Sequence, residues 1–419
     1  MKVVVQKFGG TCVDSEPNQL ITAERIMEAR DRGLHPIVVV SAMGRAGQPY
    51  STVEMVNLVR RIDPDIEARE LDLLMSCGEI ISTVAMAHLL KAKGYETIAF
   101  SGGQAGLITD DYYGHARIVD IRPDGILAAL QDGYLVFVAG FQGNTTSHQI
   151  TTLGAGGSDY TAVALTRVIK DTPRLPFGEM LEVEPLQIYK EVPGVMTANP
   201  KTLADTGGGE ARALTQLTYD ECVALSRLGA EVLQQQAAEM AREHGIPLLV
   251  RDYRVSDSSG TEVGAATTAA GPERATAIAD QEKLLVLDLQ TDDSRFVLQI
   301  AERLDRERLT YFQVNTPDEK VRLAVRPLKY RNVSAIVDGV LQSRHASAEI
   351  NEGDFALVSV VGERLRGRLE EWREKAERVL TGNDIAVHGT SQGAISLSHL
   401  VPEADRKKAV ALLHEHTVL

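Results

Sequence analysis

Short apolar runs alternate with amphipathic stretches through the first two thirds of this 419-residue chain, and this alternation constrains the fold more than any other feature. Most of the runs are continuous, as expected for strands of a parallel sheet that is buried on both faces. We predict a layered α/β domain with a mainly parallel sheet, in which ligands bind outside the carboxyl ends of the strands. The predicted strands are 3–7, 36–41, 96–101, 134–141, 184–190 and 247–253, and the predicted helices are 19–32, 51–61, 78–93, 159–169 and 218–244.

The first predicted strand runs directly into a lysine and two glycines, in Lys-Phe-Gly-Gly-Thr at 7–11. Glycines let the backbone approach a ligand closely, and their exposed amides can cradle phosphate oxygens. A lysine beside them is a point cation for a phosphoryl group in transit. The chain contains no Gly-x-x-x-x-Gly-Lys-[Ser/Thr] sequence, so this is not the usual P-loop. A plain strand–turn–helix corner explains the same residues equally well.

A second glycine-rich turn, Gly-Ala-Gly-Gly at 154–157, precedes the predicted helix 159–169. Ser158 is predicted to be the N-cap of this helix, and Asp159 follows it. The free N–H groups and the positive dipole end of such a helix attract an anion. Two separate anion cradles suit a nucleotide with several phosphates, whereas the simpler interpretation is one more tight turn.

Five short motifs stand out along the chain. They are Lys-Phe-Gly-Gly-Thr at 7–11, Val-Ser-Ala-Met-Gly at 40–44, Ser-Cys-Gly-Glu at 76–79, Ala-Gly-Phe-Gln-Gly at 139–143 and Thr-Thr-Leu-Gly-Ala-Gly-Gly-Ser-Asp at 151–159. In this order and spacing they resemble the aspartokinases, which are amino acid kinases with C-terminal ACT domains. The resemblance continues through Val-Pro-Gly-Val-Met-Thr-Ala-Asn-Pro at 192–200 and extends weakly into the tail, so it covers nearly the whole chain.

The resemblance implies transfer of the ATP γ-phosphate to the side-chain carboxylate of L-aspartate, the first step towards lysine, threonine and methionine. The product would be 4-phospho-L-aspartate, and the cofactors would be ATP and Mg²⁺, with no metal ligand predicted from the chain itself. A carboxylate is already a nucleophile, so this chemistry requires positioning and charge neutralisation but no general base.

Site residues are carried over from the matching motifs. Lys7 would stabilise the transferring phosphoryl group, Asp159 would orient Lys7, and Glu79 would receive the substrate ammonium. Alternatively, Glu79 is an exposed acid that the dipole favours at a helix N-terminus. The implied substrate-binding residues are Thr11, Ser41, Glu79 and Ser158, and the implied nucleotide-binding residues are Lys7, Gly9, Gly10, Gly154, Gly156, Gly157, Lys190 and Lys201.

Several positions depart from the family pattern. An arginine of the second loop, which would hold a substrate carboxylate, is Ala155 here, and the lysine of a Gly-Ala-Lys-Val helix is Glu231. The usual Thr-Asp after the Ile-Tyr strand is Lys-Glu at 190–191, and an Asp-Pro-Arg turn reads Asn-Pro-Lys at 199–201. We hypothesise that Lys190 compensates for Glu231. Two alternatives to the aspartate kinase stay open: a catalytically impaired regulatory homologue, and a kinase for a different carboxylate substrate.

The pattern changes after residue 255. We predict a catalytic domain at 1–255, a linker at 256–280 and a tandem ACT-like regulatory region at 281–419. The last of these holds two ferredoxin-like βαββαβ modules. Its predicted strands are 283–290, 309–315, 320–326, 355–361, 384–390 and 393–399, and its predicted helices are a short one before residue 309 and longer ones at 332–343, 364–380 and 402–416.

The resemblance implies a homodimer or a higher oligomer that forms through the ACT modules, or pairing with an active kinase paralogue. Effector loops of ACT modules usually carry a glycine between the first strand and the first helix. Here the first loop, 291–295, has none, and the second, 361–367, is bulky and charged, so feedback inhibition by lysine or threonine is not predicted.

Charge and cysteine content exclude several other classes. Asp and Glu number 58 against 44 Lys and Arg, and a net charge of −14 argues against nucleic acid as a partner. The three cysteines are scattered and form neither a disulfide framework nor a metal motif. Cys12, beside the first glycine loop, is either a reactive thiol or a small buried hydrophobe. The sequence shows no signal peptide and no run that approaches a membrane span, so we predict a cytoplasmic protein without a membrane partner.

Overall fold

The protein divides into two compact units, which are described separately. The structure is a computed structural model, and it describes residues 1–207, 209–265, 274–289, 294–316, 321–328, 332–343 and 348–419. The N-terminal unit comprises Met1–Val195, Leu214–Tyr219 and Leu233–Ala266, and the C-terminal unit comprises Met196–Ala213, Asp220–Val232 and Thr267–Leu419.

A nine-stranded sheet forms the centre of the N-terminal unit, as predicted for the layered α/β fold. The order is β11-β13-β12-β10-β1-β2-β6-β3, with β9 also paired to β1. Its pairs are parallel except for β12 with β13. The strands are β1 (Lys2–Phe8), β2 (His35–Val40), β3 (Thr97–Phe100), β6 (Leu135–Ala139), β9 (Glu182–Val183), β10 (Leu186–Lys190), β11 (Gln216–Thr218), β12 (Leu248–Asp252) and β13 (Thr261–Gly264).

Helices cover this sheet on both faces. Continuous apolar runs make β1, β2 and β6 almost fully buried, which is the reason that their positions are readable from the sequence. The helices of this unit are α1 (Glu16–Asp31), α2 (Thr52–Arg60), α3 (Ala68–Ala92), α4 (Asp124–Gln131), α5 (Gly157–Asp171) and α8 (Gln235–Glu243).

Burial decides between the two interpretations of Cys12. The thiol is fully buried among Phe8, Ile26 and Tyr189, and its Sγ contacts the Tyr189 carbonyl oxygen at 3.5 Å. Burial raises the pKa of the Cys12 thiol to about 12, against the opposing effect of Lys7. Cys12 is therefore a buried hydrophobe, because a reactive thiol needs access and a low pKa.

Two predictions for the first 255 residues were wrong in detail, and one sheet was not predicted. Residues 218–244 do not form one helix: α7 (Tyr219–Arg227) ends before Gly229, whose φ of +100° no helix accommodates, and α8 begins at Gln235. The helix predicted at 78–93 begins ten residues earlier, at Ala68. A separate four-stranded sheet was not predicted, because its strands are short; these are β4 (Leu107–Thr109), β5 (Ile118–Ile121), β7 (Gln142–Thr145) and β8 (Ile150–Thr152), in the order β5-β4-β7-β8.

Helix α3 is long and apolar enough to cross a membrane by length and composition alone. Half of its most apolar window is buried inside the unit, and that buried face carries Asp72, Ser76, Glu79 and Ser82. These properties are those of a core helix, which passes the same test.

Two long paired strands organise the C-terminal unit. In the first set, the second half of β14 pairs with the first half of β17 on one side and with β16 on the other, and β16 pairs with β15. In the second set, the first half of β14 pairs with the second half of β17, β17 pairs with β19, and β19 pairs with β18. These two sets are the two predicted modules. The elements are β14 (Ala277–Leu289), α9 (Ser294–Arg306), β15 (Tyr311–Asn315), β16 (Val321–Val325), α10 (Val333–Ser343), β17 (Ala348–Val361), α11 (Leu369–Thr381), β18 (Thr390–Gln392), β19 (Ser396–Pro402) and α12 (Arg406–Leu413), preceded by α6 (Pro200–Thr206).

The main errors in this unit lie near its end. The strand predicted at 384–390 is irregular apart from its last residue, since Ile385–Gly389 carry no ladder, and β18 is only three residues long. Helix α12 is shorter than predicted and passes into a π turn at His414–Val418. Helix α9 is longer than α10, opposite to the prediction. Within the range predicted as a linker, Thr261–Gly264 form β13, and β14 begins at Ala277. The first effector loop, 291–295, lies largely outside the described residues.

Candidate active site

A buried ion pair joins the two glycine loops. Lys7 lies near the end of β1 and Asp159 in the first turn of α5, and the Lys7 Nζ is 2.7 Å from the Asp159 Oδ1. Burial alone would raise the pKa of Asp159, but Lys7 and then Lys190 outweigh it, so the pKa lies below its ordinary value. The predicted Lys7–Asp159 pair is thus present as geometry, with the Asp159 carboxylate ionised.

Gly9 and Gly10 in the first loop lack a side chain for different reasons. A Cβ on Gly10 would lie 2.8 Å from the Ala42 carbonyl oxygen, so packing alone requires glycine there. Gly9 has an extended backbone with a φ of −70°, which any residue adopts. A Cβ on Gly9 would make only ordinary contacts, 3.7 Å from the Lys7 Nζ and 3.8 Å from the Tyr189 carbonyl oxygen. Neither backbone strain nor packing therefore requires glycine at position 9. Its missing side chain leaves an open space beside the Lys7 ammonium.

The second loop shapes the start of α5. Gly154 and Gly156 have φ values of +77° and +76°, in the left-handed region that favours glycine. Helix α5 begins at Gly157 with Gly156 as its N-cap, and no side chain caps it. The prediction that Ser158 is the N-cap was wrong. Ser158 lies inside the first turn, where it packs so closely that a Cβ on Gly140 would approach its Oγ to 2.7 Å.

Glu79 is the most unusual side chain in the cluster. It lies in the middle of α3 and is only 5% exposed, so the interpretation as an exposed acid at a helix N-terminus was wrong. Its Oε1 accepts the Ala42 N–H at 3.1 Å, whereas its Oε2 is buried and has no hydrogen-bond partner among the residues described. Burial raises the pKa of Glu79 from an ordinary 4.5 to about 8, against the opposing effects of the Ala42 N–H and Lys7. A buried acceptor without a donor is costly, and a ligand that donates would remove the cost.

Thr11 and Ser41 follow the carboxyl ends of the neighbouring parallel strands β1 and β2. The Thr11 Oγ1 donates to the Glu191 Oε2 at 2.9 Å, just beyond β10. Ser41 follows β2; its N–H donates to the Phe8 carbonyl at 3.1 Å, and its carbonyl accepts from the Ser82 Oγ at 2.7 Å. Thr11 thus follows the strand that carries Lys7, and Ser41 contacts the helix that carries Glu79.

The positions that depart from the family pattern divide between the two units. Lys190, at the end of β10, lies close enough to Asp159 to lower its pKa, and Ala155 is exposed in the second loop. Lys201 and Glu231 belong to the C-terminal unit. There, the Lys201 N–H donates to the N-cap Asn199 at 3.0 Å. The Arg326 guanidinium, whose pKa burial lowers, has Glu231 as its opposing charge.

Sequence reasoning missed Asp72. This fully buried carboxylate on α3 accepts the Thr152 N–H and Oγ1–H, both at 2.7 Å, and the Gly114 N–H at 2.8 Å. Burial raises its pKa to about 6, against these three hydrogen bonds. Asp72 thereby ties α3 to the strand that leads directly into the second glycine loop. The available signal was an acid among the leucines of an apolar stretch, which lay ahead of the helix start that we predicted.

We expect Asp72→Asn to lower the free energy of unfolding by about 1–3 kcal/mol, because an amide turns N–H donors towards the Thr152 or Gly114 N–H and leaves them unpaired. Urea unfolding of the full chain measures the change. The exposed Asp132→Asn, at the end of α4, is the matched control and should change stability by less than about 0.5 kcal/mol. Equal stability of both variants would show that the hydrogen bonds that Asp72 accepts from Thr152 and Gly114 do not stabilise the fold.

The chain resembles known proteins along its whole length. The sequence model of the amino acid kinase family matches residues 2–252. The aspartokinase of Bacillus sp. (strain MGA3) is 32% identical over 422 residues, covering 99% of this chain and 97% of that protein. Aspartokinase 2 of Bacillus subtilis (strain 168) is also 32% identical, over 427 residues with the same coverage.

Solved structures share the fold. The crystal structure of E. coli aspartokinase III in complex with aspartate and ADP superposes with a TM-score of 0.80 at 23% identity and covers 100% of both chains. The aspartate kinase of Clostridium acetobutylicum gives a TM-score of 0.68 at 18% identity, covering 99% of this chain and 100% of that one.

Proposed function

The chain belongs to the amino acid kinase family and, within it, to the aspartokinases, and from this premise we propose that it phosphorylates the side-chain carboxylate of L-aspartate with ATP. The product is 4-phospho-L-aspartate. The observation that carries the proposal is the unpartnered Oε2 of the buried Glu79, which lies within electrostatic reach of the Lys7–Asp159 pair.

Glu79 selects an ammonium group. Its free oxygen is an acceptor in a low-dielectric environment, and an amino-acid ammonium supplies both the missing donor and the compensating charge. A dicarboxylate without an amino group would leave this oxygen unpaired, so aspartate fits the site better than succinate does.

Lys7 supports the phosphoryl transfer itself. In the reaction, a new P–O bond forms to a side-chain carboxylate oxygen while the bond between the γ-phosphorus and the bridging oxygen breaks, and ADP leaves with that electron pair. The Lys7 ammonium neutralises the charge on the group in transit, and Asp159 holds it in place. No proton must be removed from the attacking carboxylate, so the transfer step requires no general base.

The site fits a nucleotide. The open space above Gly9, the Lys7 ammonium and the uncapped N-terminus of the 15-residue helix α5 are suited to phosphate oxygens. Bound Mg²⁺ supplies further neutralisation of the phosphate charge. Among the described residues no group of three or more His, Cys, Asp or Glu side chains is arranged to hold a metal. We therefore propose that Mg²⁺ is held mainly by the nucleotide phosphates, as is common for this ion.

One observation favours a second candidate. Ala155 is exposed in the second loop and offers no charge to a substrate carboxylate. A kinase for a carboxylate with one fewer acidic group, or a regulatory homologue that binds without turnover, would tolerate this alanine.

ADP release with a set of acceptors separates these candidates. We expect L-aspartate to stimulate ADP release. We expect little effect from succinate, which lacks the ammonium, and from L-asparagine, which has an amide in place of the side-chain carboxylate. Stimulation by another carboxylate alone would favour the altered substrate, and nucleotide binding without ADP release would favour the regulatory homologue.

A matched lysine pair tests the nucleotide side of the site. We expect Lys190→Thr to weaken ATP binding about tenfold or more, because loss of a charge-assisted contact costs about 1.5–3 kcal/mol. Calorimetric titration of ATP measures the change. Lys93→Thr is the control. Lys93 is exposed at the end of α3 and precedes β3, so it lies at the amino ends of the parallel strands, opposite to the ends that carry the site. An unchanged ATP affinity in Lys190→Thr would eliminate both its role and the compensation hypothesis.

Three broader assignments belong to the same proposal. They are the catalytic and regulatory division at residues 1–255 and 281–419, assembly of a homodimer or larger oligomer through the ACT modules, and a cytoplasmic location. The two paired module sets in the C-terminal unit support the second of these, because ferredoxin-like modules can associate through the helices that cover their sheets.

A further inference from the structure

A pocket lies on the face of the central sheet opposite the active site. It is lined by Gln6 on β1, by Arg25 and Arg32 on α1, by Gln187 on β10 and by Arg251 on β12. Its enclosed volume is only about 20 Å³, and the volume is about 330 Å³ when the part open to solvent is included. Successive side chains of a strand point to opposite faces, so Gln6 faces away from its neighbour Lys7. The pocket is therefore separate from the site described above.

Arg25 is the unusual residue of this pocket. It is only 7% exposed, on the same buried face of α1 as Thr22, Ile26 and Ala29. Its Nη2 contacts two carboxylates, the Glu28 Oε1 at 3.0 Å and the Glu24 Oε2 at 3.4 Å. Its Nε and Nη1 are buried without a hydrogen-bond partner among the described residues. A guanidinium carries five N–H donors, so three of them are unsatisfied on a buried charge. Such a group requires an acceptor.

The surrounding charges favour an anion. The lining contains three arginines, Arg25, Arg32 and Arg251, against two acids, Glu28 and Asp257. Arg32 pairs with Asp257, and Glu28 pairs with Arg25. Arg25 and Arg251 both line the pocket, and the Arg251 Nε donates to the Ser258 carbonyl oxygen at 2.7 Å. The residues that line the pocket therefore carry one more positive than negative charge, within a chain of net charge −14.

Gln6 narrows the chemistry of the ligand. Its Nε2 donates to the Gln187 Oε1 at 3.0 Å, and the Tyr189 hydroxyl donates to the same oxygen at 2.9 Å. The Gln6 Oε1 is buried without a partner among the described residues. The pocket therefore offers unsatisfied donors from Arg25 together with an unsatisfied acceptor from Gln6. Hydrogen phosphate matches both, because it has acceptor oxygens and an O–H donor, whereas acetate and chloride have no donor.

We propose that this pocket binds a phosphate group, which Arg25 and Arg251 hold through their guanidinium N–H groups while the Gln6 carbonyl accepts the phosphate O–H. Arginine is suited to this role because its planar fork contacts two phosphate oxygens at once. The ligand bridges α1 to β1, β10 and β12. Its occupancy stabilises the N-terminal unit without a contact to Lys7, Glu79 or Asp159.

Phosphate titration of the full-length protein tests the proposal, with binding followed by calorimetry and by the shift in unfolding temperature. The expected result is saturable binding of inorganic phosphate that persists in Lys7→Ala and weakens at least tenfold in Arg25→Met and in Arg251→Met. Arg25→Lys keeps the charge but loses the fork, and it should also weaken binding. Arg251→Met covers the case in which Arg25→Met does not fold, because Arg251 is less buried.

Three outcomes would overturn the proposal. Phosphate binding that disappears in Lys7→Ala and survives in both arginine variants would locate the anion at the active site only. Equal binding of acetate or chloride would assign a general anion site instead of a phosphate site. The third outcome is no binding at about 10 mM phosphate, a concentration that would detect even a weak, millimolar Kd. It would mean that ordered water, and not phosphate, accepts the free N–H groups of Arg25. Tighter binding of a phosphorylated metabolite than of inorganic phosphate, with the same dependence on Arg25, would support the proposal. It would also show that the phosphate group belongs to a larger ligand.

Discussion

Lys7→Ala is expected to reduce phosphoryl transfer by at least about 10²- to 10³-fold, the loss typical of removing one stabilising donor from a transition state. The physical reason is that Lys7 is the cation of the cluster that lies between the two glycine loops, held at 2.7 Å from Asp159. The measurement is the rate of ADP formation with saturating ATP and aspartate, because saturation separates the chemical step from binding.

The same substitution has a structural consequence that needs a control. Without Lys7, the Asp159 carboxylate is buried without its counter-charge, and breaking such a pair costs about 3–5 kcal/mol of stability. The double variant Lys7→Ala/Asp159→Asn removes both charges, so we expect it to recover stability but not activity. An active Lys7→Ala protein, or recovery of activity in the double variant, would show that Lys7 does not act on the phosphoryl group.

Glu79→Gln is expected to raise the KM for aspartate about 10- to 100-fold, because an amide loses the charge-assisted hydrogen bond to the substrate ammonium, worth about 1.5–3 kcal/mol. ATP binding should be unaffected. Glu67→Gln, exposed at the N-cap of the same helix, is the matched control and should leave the KM unchanged. A KM for aspartate that is equal in both variants would remove Glu79 from the substrate site.

The pH dependence of the KM provides an independent readout of Glu79. Its folded pKa of about 8 lies above the ordinary 4.5, so below pH 8 most of the free protein carries a protonated, neutral Glu79. Only the ionised form pairs with an ammonium, so apparent aspartate affinity should fall about tenfold for each pH unit below 8. Aspartate binding near neutral pH should then release a proton, detectable by calorimetry in buffers of different ionisation enthalpy. Glu79→Gln should show neither effect, and a flat profile in the unsubstituted protein would contradict the role.

Much of the sheet could be predicted from the sequence because its strands are buried on both faces. The valines of β1 and β2 form continuous apolar runs, and the structure has both strands within a residue or two of the prediction. The four short strands β4, β5, β7 and β8 carry no such run, since they are three or four residues long and partly exposed. Their pairing depends on distant parts of the chain, which local patterns do not encode.

The candidate site was predictable in its residues but not in their environments. Lys7 and Asp159 are 152 positions apart in number, and only the family resemblance joined them before the structure did. The burial of Glu79 could not be predicted, because it follows from the Ala42 loop folding over α3. Ser158 was misassigned because a left-handed glycine at 156, not a serine side chain, starts the helix. Asp72 was missed because it lies ahead of the helix start that we predicted, and Arg25 was missed because a charge in an amphipathic stretch is usually a solvated residue.

The most direct test of the account is to trap the product. The purified protein is incubated with MgATP and L-aspartate in the presence of hydroxylamine, which converts an acyl phosphate into a hydroxamate, and the hydroxamate is quantified against the ADP formed. The account predicts aspartyl hydroxamate in a one-to-one ratio with ADP, and its loss in Lys7→Ala. Folded protein that binds ATP and aspartate but forms no hydroxamate would contradict the proposed kinase activity and favour a regulatory homologue.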